Sequence, residues 1–187
     1  MKPMALLLSP GAGADRTHHT LVALEQALAP LPVERVDFPY RKAGRRAPDR
    51  APVLIECIRE EAAALAERTG VKPNAIALGG RSMGGRMCSM AVAEGLPAAA
   101  LVLISYPLHP PGKPERLRTE HLPAIEVPCL FVHGTADPFG APDELTDATA
   151  RVKGKVTHEW IEGGRHDLRG ADATICELVK GWLARRR

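Results

Sequence analysis

The chain has 187 residues, of which 45% are hydrophobic and 25% are charged, values typical of a globular domain with a sizeable core. We therefore expect one domain over residues 1–187. The net charge of +3 is too mild to call for a nucleic-acid partner, and the longest uncharged apolar run, residues 98–104, is far too short to cross a membrane. The four cysteines lie in apolar segments without a C-x-x-C pair, and the apolar part of the N-terminus is too short for a signal peptide. Both features favour buried thiols and a cytoplasmic location.

Strand and helix patterns alternate along the chain. Strands are predicted from short apolar or alternating runs at residues 4–8, 33–38, 75–78, 98–105, 128–133 and 155–161. Amphipathic helices are predicted at residues 17–28, 53–69, 83–94, 142–152 and 172–185. Three loops stand out: a glycine-rich loop at 9–15, a basic loop at 39–52 and a segment with five prolines at 106–127. This order predicts a three-layer αβα sandwich with a six-stranded, parallel, doubly wound sheet.

A serine between glycines interrupts the third strand–helix pair. Residues 80–84 read Gly-Arg-Ser-Met-Gly and match G-x-S-x-G, the nucleophile elbow, in which small residues let strand and helix pass closely around an exposed serine. The helix that follows would direct its free N–H groups towards an oxyanion formed at Ser82. The motif occurs by chance in roughly one chain in twenty of this length. An ordinary helix N-cap is the alternative interpretation of Ser82.

A nucleophilic serine needs a base and a carboxylate that orients the base. Asp137 follows the fifth predicted strand and His166 follows the sixth, in the chain order Ser, acid, His that belongs to this kind of elbow. Asp137 could instead be a turn residue before Pro138. Asp167 is a weaker candidate acid, because its side chain should diverge from that of its neighbour His166. We predict Ser82 as the nucleophile, His166 as the base and Asp137 as the acid.

Two backbone N–H groups are needed to hold the oxyanion. We predict that Met83, which follows the nucleophile, supplies one. The glycine-rich loop supplies the other, through Ala12 or alternatively Gly13. Phosphate binding by this loop is a weaker interpretation, because the loop lacks both a Walker lysine and a full G-x-G-x-x-G. No metal and no organic cofactor is required by this chemistry.

Segment 106–127 is the only candidate lid, since it directly follows a strand end. Side chains in it that could line a substrate pocket, with surface exposure as the alternative, are Tyr106, His109, Lys113 and Arg118. Arg81, beside the nucleophile, is a further candidate substrate contact. Together with Arg86 it would place positive charge near the site, which would suit an acidic acyl or leaving group, although Arg86 could equally be buried in structural hydrogen bonds.

The chain resembles the α/β-hydrolase superfamily over its whole length, and most closely a compact branch akin to dienelactone hydrolases. The segments that carry the resemblance are LLLSPGAGAD, ALGGRSMGGRM, ISYPLHPPGKPERLRTEHL, LFVHGTADPFG and GGRHDL. The resemblance implies that Ser82, Asp137 and His166 form the triad, on a minimal core that begins at the superfamily's third strand and has no cap domain. Two departures are visible. Pro10-Gly11 stands where many members have His-Gly, and Ser82 stands where true dienelactone hydrolases have cysteine, so lactone specificity does not carry over.

The function expected from these features is that of a serine carboxylesterase or thioesterase acting on a small-molecule ester through an acyl-enzyme. A non-catalytic interaction module that keeps the same fold is the alternative. A monomer and a homodimer are both compatible with the sequence.

Overall fold

The computed structural model of the protein describes residues 3–185; residues 1–2 and 186–187 of the predicted domain lie outside it. Within the described residues, six strands, all paired in parallel, form one sheet in the order β2-β1-β3-β4-β5-β6. The strands are β1 (Ala5–Ser9), β2 (Val33–Arg35), β3 (Ile76–Arg81), β4 (Ala100–Ile104), β5 (Cys129–Gly134) and β6 (Val156–Ile161). The strand order reverses beside β1, so the predicted doubly wound sheet is confirmed.

Helices cover both faces of the sheet. They are α1 (His19–Leu28), α2 (Pro39–Lys42), α3 (Ala51–Thr69), α4 (Met83–Ala93), α5 (Pro142–Thr149) and α6 (Asp172–Ala184). Side chains of β1 alternate between two cores, as the pleat of a strand requires. Leu6 and Leu8 pack in the core that holds α1 and α6, whereas Ala5 and Leu7 pack in the core that holds α3 and α4. The three-layer αβα prediction is therefore confirmed. Among the described residues, no helix is long and apolar enough to cross a bilayer.

The chain departs from the predicted elements after β2. The strand ends at Arg35, three residues earlier than predicted, and the four-residue helix α2 lies where a loop was predicted. Pro39 explains the start of this helix, because its ring presets a helical φ angle and it has no N–H to lose in the first turn. Tyr40, the next residue, is fully buried.

The elbow requires glycine because three backbones meet there. A Cβ at Gly80 would lie 2.1 Å from the Ser9 carbonyl oxygen, and one at Gly84 would lie 2.4 Å from the same oxygen. Strand β3 therefore continues through the glycines to Arg81, beyond the predicted end at residue 78. Ser82 adopts a φ of 51°, an uncommon value for a residue that carries a side chain. These contacts bring the end of β1, the end of β3 and the start of α4 together around Ser82.

Candidate active site

Ser82 lies at the carboxyl end of β3, directly before α4. Its backbone N–H donates to the carbonyl oxygen of Ile104 at 2.8 Å, which fixes the turn against β4. The hydroxyl is therefore held outside the sheet, and its Oγ lies 2.8 Å from Nε2 of His166. The side chain makes no capping hydrogen bond to α4, so Ser82 is not a conventional N-cap.

His166 and Asp137 meet because the loops after β5 and β6 touch. A Cβ at Gly134 would lie 2.1 Å from the carbonyl oxygen of Gly164, which shows how closely the two backbones approach. His166 donates through Nδ1 to Asp137 at 2.8 Å (Oδ2) and 3.0 Å (Oδ1), so Nε2 is left to accept a hydrogen bond from Ser82. The Asp137 side chain is 0% exposed and that of His166 is 21% exposed. The three side chains form one continuous hydrogen-bonded chain.

Further contacts hold this chain in place. The backbone N–H of Phe139 donates to Asp137 Oδ1 at 2.9 Å, and the Phe139 ring stacks on the His166 imidazole with centroids 4.0 Å apart. His133, fully buried at the end of β5, donates through Nε2 to the carbonyl oxygen of Gly140 at 2.9 Å. Burial lowers the pKa of His133, and the nearby Asp137 carboxylate opposes that effect. A neutral His133 therefore packs 3.5 Å from Asp137 Oδ2.

The two residues predicted to supply the oxyanion donors both lie near Ser82. Met83 opens α4, and both Met83 and Ala12 line the same cleft as Ser82. The glycine-rich loop runs against the serine, since a Cβ at Gly11 would lie 3.5 Å from Ser82 Cβ. The hydroxyl of Tyr40 donates to the carbonyl oxygen of Ala12 at 2.8 Å and ties this loop to α2. Gly13, the alternative donor, also lines the cleft.

The hydroxyl of Ser82 opens into a cleft of about 670 Å³. Residues that line it include Gly11, Ala12, Gly13, His18, Asp49, Leu54, Arg81, Ser82, Met83, Arg86, Met87, Pro107, Arg118, Phe139 and His166. Arg81 is only 9% exposed, and one terminal nitrogen of its guanidinium donates to the carbonyl oxygen of His166 at 2.6 Å. Arg81 therefore supports the loop that carries His166 while it lines the cleft. Burial lowers the pKa of His18 to about 4, with a smaller contribution from the Arg81 charge, so the imidazole is neutral at pH 7.

The structure corrects part of the predicted substrate pocket. Tyr106 is 1% exposed and its hydroxyl bonds to His121, while His109 is 5% exposed and lies 3.4 Å from Glu144. Neither side chain lines the cleft, because the chain turns inward at Ser105, whose φ is 50°. Lys113 is exposed and also lies outside the cleft. These three residues therefore do not line the cleft, whereas Arg118 does.

Sequence reasoning missed several residues that surround Ser82 and His166. Phe139 could have been suspected from the sequence, because it is an aromatic residue two positions after the predicted acid. Nothing in the sequence pointed to the roles of Tyr40 and His121, because their hydrogen-bond partners, Ala12 and Ser89, are distant in sequence. Within residues 3–185, no group of three or more His, Cys, Asp or Glu side chains is arranged to hold a metal ion.

Comparison with known proteins identifies the family of the chain. A family profile described as alpha/beta hydrolase domain matches residues 2–177. The chain belongs to the alpha/beta hydrolase family. This hydrolase is similar to the dienelactone hydrolase from Anabaena variabilis, with 18% identity, a TM-score of 0.77, and coverage of 98% of this chain and 87% of that one. An alpha-beta serine hydrolase homologue from Coxiella burnetii gives 16% identity, a TM-score of 0.77, and coverage of 98% and 86%.

Est1E from Butyrivibrio proteoclasticus is another similar structure, at 17% identity and a TM-score of 0.74, covering 99% of this hydrolase and 88% of Est1E. At these identities the likeness shows the fold. The family membership, together with that fold, supports hydrolase activity.

Proposed function

We propose that the protein is a serine hydrolase that cleaves a small carboxylic ester or thioester through an acyl-enzyme. The observation that carries the proposal is the unbroken hydrogen-bonded chain from Ser82 through His166 to Asp137, beside a cleft and at the carboxyl ends of β3, β6 and β5. Two of the similar structures agree with such chemistry in kind, since one is described as a serine hydrolase homologue and one as Est1E with ferulic acid bound.

Acylation begins when Ser82 Oγ attacks the substrate carbonyl carbon and its proton passes to Nε2 of His166. Asp137 accepts the hydrogen bond from Nδ1, which keeps the imidazole in the required tautomer and stabilises its positive charge. The N–H groups of Met83 and Ala12 bind the oxyanion of the tetrahedral intermediate. The intermediate collapses as the C–O or C–S bond breaks, and the leaving alcohol or thiol takes the proton from His166.

Deacylation repeats these steps with water as the nucleophile. His166 accepts a proton from water, the resulting hydroxide attacks the acyl carbon, and the second tetrahedral intermediate is held by the same backbone donors. Its collapse returns the proton to Ser82 Oγ and releases a carboxylic acid. The close contact between Gly134 and Gly164 keeps Asp137 within hydrogen-bonding distance of His166 during both acylation and deacylation.

A fluorophosphonate probe, which reacts covalently with activated serines, tests the proposal. We expect wild-type protein to be labelled at one serine and Ser82→Ala to remain unlabelled, while hydrolysis of p-nitrophenyl butyrate falls by about 10⁴- to 10⁶-fold. Ser89→Ala is the matched control, because Ser89 lies on the same helix and is also hydrogen-bonded to a histidine, at 2.8 Å, but is completely buried. It should be labelled like the wild type.

Two results would contradict the proposal. Folded wild-type protein that takes up no probe at pH 8 would favour the non-catalytic interaction module. Labelling that survives in Ser82→Ala and disappears in Ser89→Ala would move the nucleophile to the buried Ser89–His121 pair.

A further inference from the structure

Arg86 lies one helical turn beyond Ser82 on α4. Its backbone N–H donates to the carbonyl oxygen of Ser82 at 3.1 Å, the hydrogen bond of residues four apart in a helix. Ser82 itself precedes the helix, so the first turn of α4 is what places Arg86 near it. Arg86 accordingly lines the cleft into which Ser82 opens. The helix thus fixes a cationic side chain near the nucleophile.

Arg118 belongs to the proline-rich segment 106–127 and lines the same cleft as Arg86. Its backbone N–H donates to the carbonyl oxygen of Leu108 at 2.9 Å, and the chain after it is anchored where His121 lies 2.8 Å from Ser89 of α4. Burial lowers the pKa of Arg118, and the charge of Arg86 adds to that effect. Both guanidinium groups therefore contribute positive charge to the same cleft.

No carboxylate in the described structure neutralises this pair. Some other arginines of the described structure are paired with Asp or Glu, namely Arg16, Arg35, Arg41, Arg45, Arg59 and Arg68. Within residues 3–185, neither Arg86 nor Arg118 forms such a salt bridge, and Nε of Arg86 is buried without a hydrogen-bond partner.

The one acidic residue among the described cleft-lining positions is already engaged. Asp49 lines the cleft, but both of its carboxylate oxygens contact Arg45. The two terminal nitrogens of the guanidinium lie 2.8 Å from Oδ1 and 3.1 Å from Oδ2. His18 also lines the cleft. Its imidazole is neutral at pH 7 and adds no charge there. Cationic groups that are partly buried and unpaired are costly unless something else supplies the opposite charge.

We propose that Arg86 and Arg118 bind an anionic group of the substrate, a carboxylate or a phosphate. This proposal rests on the proposed function, because it assigns the substrate of the same site. Guanidinium groups suit such anions, since their planar N–H donors match two oxygens at once. Both arginines line the cleft into which Ser82 opens, so one substrate could present its scissile carbonyl to the serine and its anionic group to the arginines.

Matched esters test the charge requirement. The p-nitrophenyl monoester of glutaric acid carries a carboxylate at the far end of its acyl chain, and the corresponding glutaramate ester carries a neutral amide of nearly the same shape. We expect wild-type kcat/KM to be about 10- to 100-fold higher for the charged ester, the range of charge-assisted hydrogen bonds. Arg86→Gln and Arg118→Gln should each reduce this ratio towards one.

Arg116→Gln is the matched control, because Arg116 belongs to the same segment, is exposed and does not line the cleft. It removes the same charge and should keep the wild-type ratio. A second pair of substrates, butyrate esters of 4-hydroxybenzoate and 4-hydroxybenzamide, places the charge on the leaving group. If the arginine-dependent ratio appears with the glutarate pair, the anion belongs to the acyl part. If it appears with the hydroxybenzoate pair, the anion belongs to the leaving group.

Direct binding separates this proposal from the proposed function. Ser82→Ala protein should bind glutarate or inorganic phosphate by calorimetry, and adding Arg86→Gln or Arg118→Gln should abolish that binding. Hydrolysis without any charge preference, together with no anion binding, would overturn the anion site and leave the serine hydrolase intact. Anion binding that depends on both arginines, in a protein with no labelled serine, would keep the anion site and overturn the hydrolase.

Discussion

The two ends of the cleft differ in how their polar side chains are satisfied, although α4 contributes to both. At the serine end, which comprises Ser82, Asp137 and His166, each side chain is hydrogen-bonded to the next. At the arginine end, which comprises Arg86 and Arg118, the guanidinium groups have no acidic partner among the described residues. The protein alone determines the geometry of the serine end, whereas the arginine end is complete only when a ligand supplies the opposite charge.

The largest loss of activity is expected from a substitution at Asp137, the acid of the serine end. Asp137→Asn keeps the shape of the side chain but removes the charge that orients His166 and stabilises its protonated form. We expect kcat for p-nitrophenyl butyrate to fall by about 10³- to 10⁴-fold, as in other triads. The charge preference at the arginine end should remain measurable in the residual activity.

Asp167→Asn serves as the control for that substitution. Asp167 adjoins His166 in sequence but is exposed, and the hydrogen bonds of the imidazole Nδ1 go to Asp137. Its rate should stay within a few-fold of wild type. An Asp137→Asn enzyme that turns over at full rate would show that another group orients His166.

The sequence predicts the serine end better than the arginine end for a physical reason. In a parallel sheet the carboxyl ends of all strands meet at one edge, so residues that follow successive strands must come together. Asp137 follows a strand that can be recognised from an apolar run, and His166 follows one that can be recognised from its alternating pattern. Their approach to Ser82 therefore needed only the order of the elements.

The arginine end depends on segment 106–127, which has no periodicity to interpret. The left-handed turn at Ser105 sends Tyr106 into the core, and the residues that anchor the segment, His121 and Ser89, belong to different parts of the chain. Contacts of this kind follow from packing between distant residues. The sequence could therefore indicate positive charge near the site, through Arg81 and Arg86, but not which side chains line the cleft.

His121, which anchors the segment of the arginine end, should make the stability of the protein depend on pH. Burial, together with the nearby Arg86, lowers the pKa of His121 from 6.5 to about 4, while Glu120 opposes the shift. The unfolded chain takes up a proton at this residue below about pH 6.5, whereas the folded protein does not until about pH 4. The stability that neutral His121 contributes is therefore present above pH 6.5 and is lost as the pH falls towards 4.

Urea unfolding at pH 7.5 and pH 5.0 measures this contribution. Between these values we expect His121 to account for about 1–2 kcal/mol of the lost unfolding free energy, allowing for solvent screening of a partly exposed ring. His121→Gln should be less stable than wild type at pH 7.5 and should lose less stability on acidification. His18, also shifted to about 4, contributes equally to both proteins. The same pH dependence in wild type and variant would show that His121 titrates normally in the folded protein.

The smallest expected effect concerns the loop that carries the proposed oxyanion donor. Tyr40 donates to the carbonyl oxygen of Ala12 at 2.8 Å, so its hydroxyl holds in place the residue whose N–H is the proposed donor. A neutral hydrogen bond of this kind contributes about 0.5–1.5 kcal/mol, which corresponds to a loss of about 2- to 10-fold in rate in Tyr40→Phe. The oxyanion exists only in the transition state and the intermediates, so the loss should appear in kcat with little change in KM.

The chain's other tyrosine provides the comparison. Tyr106→Phe also removes a hydroxyl from a buried ring, but that hydroxyl bonds to His121 at 3.1 Å, on the side of α4 that anchors the segment of Arg118. Both variants should be destabilised, yet kcat for a neutral ester should fall clearly more in Tyr40→Phe. Equal losses of kcat in the two variants, or a rise of KM alone in Tyr40→Phe, would mean that α2 supports the fold without positioning the oxyanion donor. A selective loss of kcat would instead show that α2, the helix that replaces part of the predicted basic loop, fixes the backbone on which the chemistry at Ser82 depends.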